Sequence, residues 1–174
     1  PASAPVAQLD RVSDCDSEGH RFESCRARHL KIIIHQKLLC YNTANKTGNN
    51  MLFTNENEHT YRFGDHGPKY IAVGPNIDFG VVVITPGEEH PCHAHVKQEE
   101  SFFALEGECE VWVDGALVVL KAGDYLQCSP GEAHYFRNVS DKNFKSVFVK
   151  SPHFDEKDSV YIEWKPGQEF KKQF

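Results

Sequence analysis

The chain has 174 residues, with 19 Lys+Arg, 25 Asp+Glu and a formal net charge of −6 at pH 7. The charge is unevenly spread, because residues 1–50 carry +2 and the remaining residues carry −8. An acidic body lacks the basic surface that nucleic acids and anionic membranes attract, so we expect neither as a partner. The length suits one domain of ordinary size with a tail.

The six cysteines contain no C-x-x-C pair and no dense framework like that of small disulfide-rich secreted domains. Such a pattern is typical of proteins from a reducing compartment. We therefore expect free thiols and a cytoplasmic location.

Residues 1–50 show no sustained helical or strand period, and the sole methionine of the chain is Met51. The segment from Pro5 to Arg28 resembles the conceptual translation of a bacterial transfer-RNA gene. We therefore predict that residues 1–50 are an unstructured extension outside the native coding sequence. The alternative is a genuine extension in which the apolar run from Leu30 to Tyr41 forms a short helix or a signal-like patch. That run is too short and too charged to cross a bilayer.

From Met51 onward, short runs rich in Val, Ile, Phe and Tyr alternate with turn signals, a pattern typical of an all-β sandwich or barrel. No stretch carries a helical apolar stripe, so we expect little helix. Asp114-Gly115 predicts a two-residue hairpin, because Asp and Gly tolerate positive φ. The predicted strands are Tyr61–Phe63, Tyr70–Val73, Asp78–Thr85, Cys92–His95, Ser101–Glu106, Glu108–Asp114, Ala116–Leu120, Tyr125–Ser129, His134–Asn138, Lys145–Lys150 and Tyr161–Trp164.

One stretch, GEEHPCHAHVKQEESFFALEG, holds three candidate metal ligands. His93 and His95 are two residues apart, so a β-strand places both imidazoles on one face. Glu100 follows at an odd spacing, and residues 96–99 must therefore turn or bulge to bring its carboxylate back to the pair. His134, behind a Pro-Gly turn, completes a set of three nitrogens and one oxygen. Such a set suits a divalent transition metal.

The other ionisable residues of this stretch, Glu88, Glu89, His90 and Glu99, are predicted to be solvated surface. Strand alternation aims Cys92 away from both histidines. We therefore predict that Cys92 packs in the interior and is not a ligand.

These residues resemble the two-part signature of the cupin superfamily. The first part, G-x5-H-x-H-x4-E-x6-G, is matched by Gly87, His93, His95, Glu100 and Gly107. The second part, G-x5-P-x-G-x2-H-x3-N, is matched by Gly123, Gly131, His134 and Asn138, with Ser129 in place of the usual proline. The resemblance covers roughly Met51 to Trp164. It implies an all-β, single-domain cupin of the double-stranded β-helix or jelly-roll type, with residues 51–174 as the cupin domain.

Strand alternation counted from the ligands points Phe102 and Phe136 into the barrel. We predict that both are substrate-binding walls of a partly aromatic pocket, with plain core filling as the alternative. The same count points Phe103 and Leu105 outward. An exposed apolar patch of this kind predicts a homodimer; the alternative is that the terminal strands cover it.

By resemblance, the ion is manganese or iron, with zinc, nickel, cobalt or copper as alternatives. Four protein ligands leave two positions of a six-coordinate ion for oxygen or a chelating substrate. We predict a small metalloenzyme of the dioxygenase type that acts on an oxygen-rich or aromatic small molecule. The alternatives are a non-catalytic metabolite-binding cupin and a metal-dependent isomerase or lyase. The sequence does not reveal a general acid or base.

Overall fold

The computed structural model describes residues 51–173. The predictions for residues 1–50 lie outside the described residues. Within the described range, ten β-strands and one 3-10 turn at Glu56–Glu58 are the regular elements, which confirms the all-β prediction. The strands are β1 Gly67–Val73, β2 Asp78–Ile84, β3 Glu89–His95, β4 Glu99–Glu106, β5 Glu108–Val113, β6 Ala116–Lys121, β7 Tyr125–Cys128, β8 His134–Arg137, β9 Phe144–Ser151 and β10 Ser159–Tyr161. None of the regular elements within residues 51–173 is a helix capable of spanning a membrane.

The strands form two five-stranded antiparallel sheets, in the orders β1-β2-β9-β4-β7 and β10-β3-β8-β5-β6. Their inner faces share one hydrophobic core, because alternate residues of each strand point to the same side. On β9, for example, Phe144, Ser146 and Phe148 are buried. The core also contains Val82 and Phe102 of the first sheet, and Val111 and Phe136 of the second.

A second apolar cluster lies on the outer face of the β10-β3-β8-β5-β6 sheet. Ile162 and Trp164, which follow β10, pack there against Cys92, Trp112 and Tyr135. The burial of Ile162 and Trp164 contributes about 1.5–3 kcal/mol each. Because the C-terminal segment covers this sheet, it does not cover Phe103 and Leu105, which are 46% and 40% exposed. Within residues 51–173, therefore, no terminal strand hides these two residues.

The local turn predictions agree with the structure. Asp114 and Gly115, between β5 and β6, have φ of 48° and 83°, the positive values that a two-residue hairpin needs. The predicted strand at Tyr61–Phe63 is wrong. Tyr61 forms a single bridge with Gly64, and the segment folds back on β1 through the Arg62 N–H, which donates to the Pro68 carbonyl at 3.0 Å. The last strand also comes earlier than predicted, at Ser159–Tyr161.

Candidate metal centre

The four predicted ligands come from three strands in two sheets. His93 and His95 lie on β3, and His134 on β8 pairs directly with His93. Glu100 lies on β4 in the opposite sheet, and residues 96–98 carry the chain across. This crossing is the turn that the odd spacing between His95 and Glu100 required. One ligand atom from each of the four residues lies within 4.8 Å of the other three.

The Glu100 carboxylate is the meeting point of the three imidazoles. Its Oε2 lies 2.9 Å from His95 Nε2, 3.1 Å from His134 Nε2 and 3.9 Å from His93 Nε2. His95, Glu100 and His134 are buried, whereas the His93 side chain is 23% exposed. Access to the centre is therefore on the side of His93.

Backbone carbonyls set the orientation of two of the rings. His93 Nδ1 lies 3.0 Å from the Pro91 carbonyl oxygen, and His134 Nδ1 lies 3.2 Å from that of Glu132. Because a carbonyl oxygen only accepts, Nδ1 is the donor in both contacts, and the Nε2 lone pair of a neutral ring faces the centre. The buried Nδ1 of His95 has no hydrogen-bond partner among the described residues and faces the Asp158 carboxylate at 3.9 Å.

Three imidazole nitrogens and one carboxylate thus converge on one point. Converging acceptors repel one another unless a cation or a proton lies between them. A set of three nitrogens and one oxygen fits a divalent transition ion. The residues present therefore suit such an ion.

The pKa values of the four residues are those of the centre without a bound metal, in which protons balance the charges. Burial by itself raises the pKa of Glu100, but the Lys150 charge and hydrogen bonds with His134 and His95 hold it well below its usual range. Burial by itself lowers the pKa of His134, but hydrogen bonds with Cys128 and Glu100 raise it to about 10. Burial and the nearby charge of His134 lower the pKa of His93 to about 3. Glu100 and His134 therefore form a buried ion pair in the metal-free protein.

Two polar residues beside this centre, Lys150 and Tyr70, were not predicted from the sequence. Lys150 Nζ lies 3.9 Å from Glu100 Oε1 and donates a hydrogen bond of 2.8 Å to the Tyr70 hydroxyl. Burial by itself lowers the pKa of Lys150, but the Glu100 carboxylate and Tyr70 raise it, so the side chain is a cation. Counting alternate residues along β9 from Phe148 would have pointed Lys150 inward.

Phe102 and Phe136 lie beneath the histidines. Their ring centroids are 4.8 Å apart, and Phe102 is 5.9 Å from the His134 ring. Both side chains belong to the core and are almost wholly buried. Their part in substrate binding stays a prediction.

Three of the four residues predicted to be solvated surface, Glu88, His90 and Glu99, are half-buried. A shift in the β3–β8 pairing between His90 and His93 leaves the His90 ring 6.5 Å from that of Phe136. His90 Nε2 lies 3.7 Å from Glu88 Oε1. The prediction failed because the ionisable composition of this stretch does not reveal a bulge in the strand. Cys92 packs in the outer cluster, as predicted, and the three cysteines in the described range are free.

The other signature residues shape the turns around the site. Gly87, Gly107, Gly123 and Gly131 all have positive φ. The Asn138 side chain is fully buried, and its Nδ2 donates to the carbonyl oxygens of Ile84 and Lys142 at 2.8 and 2.7 Å. At Ser129, where proline is usual, the N–H donates to Glu132 Oε2 at 2.6 Å. A proline could not make that bond.

Comparisons with known proteins agree with this geometry. A family model of the cupin domain matches residues 80–150. An uncharacterized protein of Aquifex aeolicus (strain VF5) is 34% identical over 89 residues, which cover 51% of this chain and 71% of that protein. Quercetin 2,3-dioxygenase of Bacillus subtilis (strain 168) is 30% identical over 78 residues, which cover 42% of this chain but only 23% of the dioxygenase.

Among solved structures, an uncharacterized conserved protein with a double-stranded β-helix domain from Klebsiella pneumoniae subsp. pneumoniae MGH 78578 superposes with a TM-score of 0.56 at 23% identity. The match covers 64% of this chain and 97% of that one, and it shows the fold. The signature residues, the two-sheet architecture and these matches together show that this chain belongs to the cupin superfamily.

Proposed function

We propose that the protein is a small metalloenzyme of the dioxygenase type. Its substrate is an oxygen-rich or aromatic small molecule, and its metal ligands are His93, His95, Glu100 and His134. The observation that carries the proposal is the convergence of three imidazole nitrogens on one buried carboxylate. Manganese or iron is the proposed ion, since both accept such ligands. When bound, such an ion supplies Lewis-acid or redox chemistry.

The relatedness to quercetin 2,3-dioxygenase supports the oxygenase class. Because the match covers less than a quarter of that enzyme, its substrate does not transfer to this chain. Phe102 and Phe136 are proposed to form the apolar floor on which the substrate rests. Their rings lie directly under His134.

An isomerase or lyase is the second candidate, and one observation favours it. Lys150 and Tyr70 are hydrogen-bonded to each other beside the ligand Glu100. Proton transfer needs an acid or base within hydrogen-bond reach of the substrate, and these two side chains are placed for that role.

Three further features belong to the proposal. We place the protein in the cytoplasm, which the free Cys92, Cys109 and Cys128 support. The exposed Phe103 and Leu105 support a homodimer. Residues 51–174 are proposed to form the cupin domain, with residues 1–50 outside the native protein.

The test is elemental analysis of the protein purified from its own host, together with oxygen uptake on addition of diols, keto acids and catechol-like compounds. Near-stoichiometric iron or manganese with oxygen uptake that is lost in His134→Ala supports the dioxygenase. Substrate conversion without oxygen uptake favours the isomerase or lyase. Metal with ligand binding but no conversion would indicate a binding module, and absence of bound metal would overturn the proposal.

A further inference from the structure

A half-buried cation lies next to the metal centre. Lys150 follows Phe148 on the inner face of β9, and its side chain is 16% exposed. The ammonium lies 5.3 Å from the Tyr70 ring centroid and 5.7 Å from that of Phe148. The Lys150 ammonium thus lies beside two aromatic rings inside the barrel.

The hydrogen bonds of this ammonium are incomplete. It donates to the Tyr70 hydroxyl at 2.8 Å, and its distance of 3.9 Å from Glu100 Oε1 is too long for a hydrogen bond. Of its three N–H donors, two therefore have no acceptor within residues 51–173. A half-buried charge whose N–H donors are not all used needs a further acceptor, from water or from a ligand.

The surrounding charges favour an anionic acceptor. Asp78 pairs with Lys150 across β2 and β9, but its Oδ1 is held by His153 Nδ1 at 2.6 Å and by the Gly74 N–H at 3.2 Å. Glu100 presents Oε2 to the histidines, so only Oε1 faces the lysine. A divalent ion and Lys150 together carry three positive charges, against one negative charge each on Glu100 and Asp78, so the sum of these four charges is positive. A partly buried site with net positive charge favours anions.

We propose that Lys150, held in place by Tyr70, anchors an anionic oxygen of the substrate, either a carboxylate or an ionised phenol or enol. The inference rests on the proposed function and names its substrate class. In this assignment Lys150 sets specificity, and Tyr70 is a positioning residue. Charge-assisted hydrogen bonds are among the stronger contacts in proteins, so loss of the cation should weaken anion binding by about 10–100-fold.

The competing role for Lys150 is structural, as a charge that only balances Glu100. Charge selectivity separates the two roles. A structural lysine would affect anionic and neutral ligands of the same shape equally, whereas an anchoring lysine affects the anion alone.

The experiment compares two pairs of probes, salicylate with salicylamide and the smaller glycolate with glycolamide. Dissociation constants are measured by calorimetry on the manganese-loaded full chain, after metal content and circular dichroism have been checked for each variant. The variants are Lys150→Met, Lys150→Arg and Tyr70→Phe, with Lys121→Met as the control because its side chain is 63% exposed. The wild type should prefer at least one anion over its amide by about tenfold or more.

Lys150→Met should weaken anion binding by about tenfold or more and leave amide binding unchanged, so that the preference for the anion shrinks, while Lys150→Arg and Lys121→Met keep the preference. Tyr70→Phe, which leaves the cation and the ligands in place, should reduce the preference by less than Lys150→Met. Equal binding of anion and amide by the wild type, or an unchanged preference in Lys150→Met, would overturn the inference. If Lys150→Met loses the metal, the Tyr70→Phe variant becomes the test. An unchanged preference for the anion over its amide in Tyr70→Phe would then count against the inference. A wild type that binds no metal would instead overturn the proposed function.

Discussion

Glu100 and Lys150 lie opposite each other on β4 and β9, with Lys150 Nζ 3.9 Å from Glu100 Oε1. The positive charge of Lys150 is the largest of the influences that lower the pKa of Glu100 against the effect of burial. A carboxylate that stays ionised in a buried place is available to a cation without first losing a proton. The pairing of β4 with β9 therefore prepares the centre for a metal.

We expect His134→Ala to lose bound metal, because the substitution removes one of four donors from a buried site whose remaining members cannot move to replace it. The metal-to-protein ratio, measured by elemental analysis after dialysis, should fall close to zero. His66→Ala is the matched control, because His66 lies outside the cluster of four. Full metal occupancy in His134→Ala would refute the ligand assignment.

Metal binding should release about one proton near neutral pH. In the metal-free protein the pKa of His134 is about 10, so its ring is protonated at pH 7 and must lose that proton before Nε2 can bind an ion. His93, with a pKa of about 3, and Glu100, with a lowered pKa, are already deprotonated. Affinity should therefore rise as the pH increases towards about 10.

The proton release is measured by calorimetry in buffers of different ionisation enthalpy, between about pH 6 and pH 8. His66→Ala provides the control, because this ring lies outside the cluster of four and its loss should leave the proton release unchanged. An affinity that falls with rising pH would contradict the assignment of the proton to His134.

Two glycine substitutions should differ in their effect on stability. Gly107 and Gly87 have similar positive φ values, 72° and 80°, so alanine strains the backbone at both positions. At Gly107 an added Cβ would also contact the Asn143 carbonyl oxygen, whereas at Gly87 nothing lies within 4 Å. We expect Gly87→Ala to lower the free energy of unfolding by about 1 kcal/mol and Gly107→Ala by about 3 kcal/mol or more.

Urea denaturation of the two variants beside the wild type measures this difference. Because backbone strain is common to both, the gap between them reports the steric contact alone. Equal losses of stability would show that the loop around Asn143 moves aside without cost.

Phe103→Glu should convert a dimer to a monomer. Phe103 and Leu105 are exposed on the outer face of β4, and a carboxylate placed in an apolar interface costs several kcal/mol of association free energy, on the order of 3 or more. Light scattering coupled to size exclusion measures the mass. Val139→Glu, at a residue that is 59% exposed, is the control and should leave the mass unchanged. A monomeric wild type would remove the homodimer from the proposal.

The local features of this protein could be derived from the amino-acid sequence. The spacing of His93, His95 and Glu100 required two side chains on one strand face and a turn before the third, and the structure has both. The hairpin at Asp114-Gly115 could be derived from the sequence in the same way. Each of these features depends on backbone rules that act over a few residues.

The register shift within β3, between His90 and His93, could not be derived from the sequence in this way. The many ionisable residues of its stretch predicted His90 at the surface, but the irregular pairing of β3 with β8 keeps it half-buried near Phe136. A bulge depends on the partner strand as much as on the strand that carries it. The sequence of one strand does not contain that information.

By itself, therefore, the sequence determined the all-β class and the turns, because short-range geometry governs them, and it determined the four candidate ligands through the spacing of the two-part signature. Only the tertiary structure decided that Lys150 and Tyr70 meet beside Glu100, and that Trp164 covers Tyr135 while Phe103 stays exposed. These contacts join strands and segments that are far apart along the chain. Their partners are fixed by which strands pair and which faces pack, and not by the residues that neighbour them in sequence.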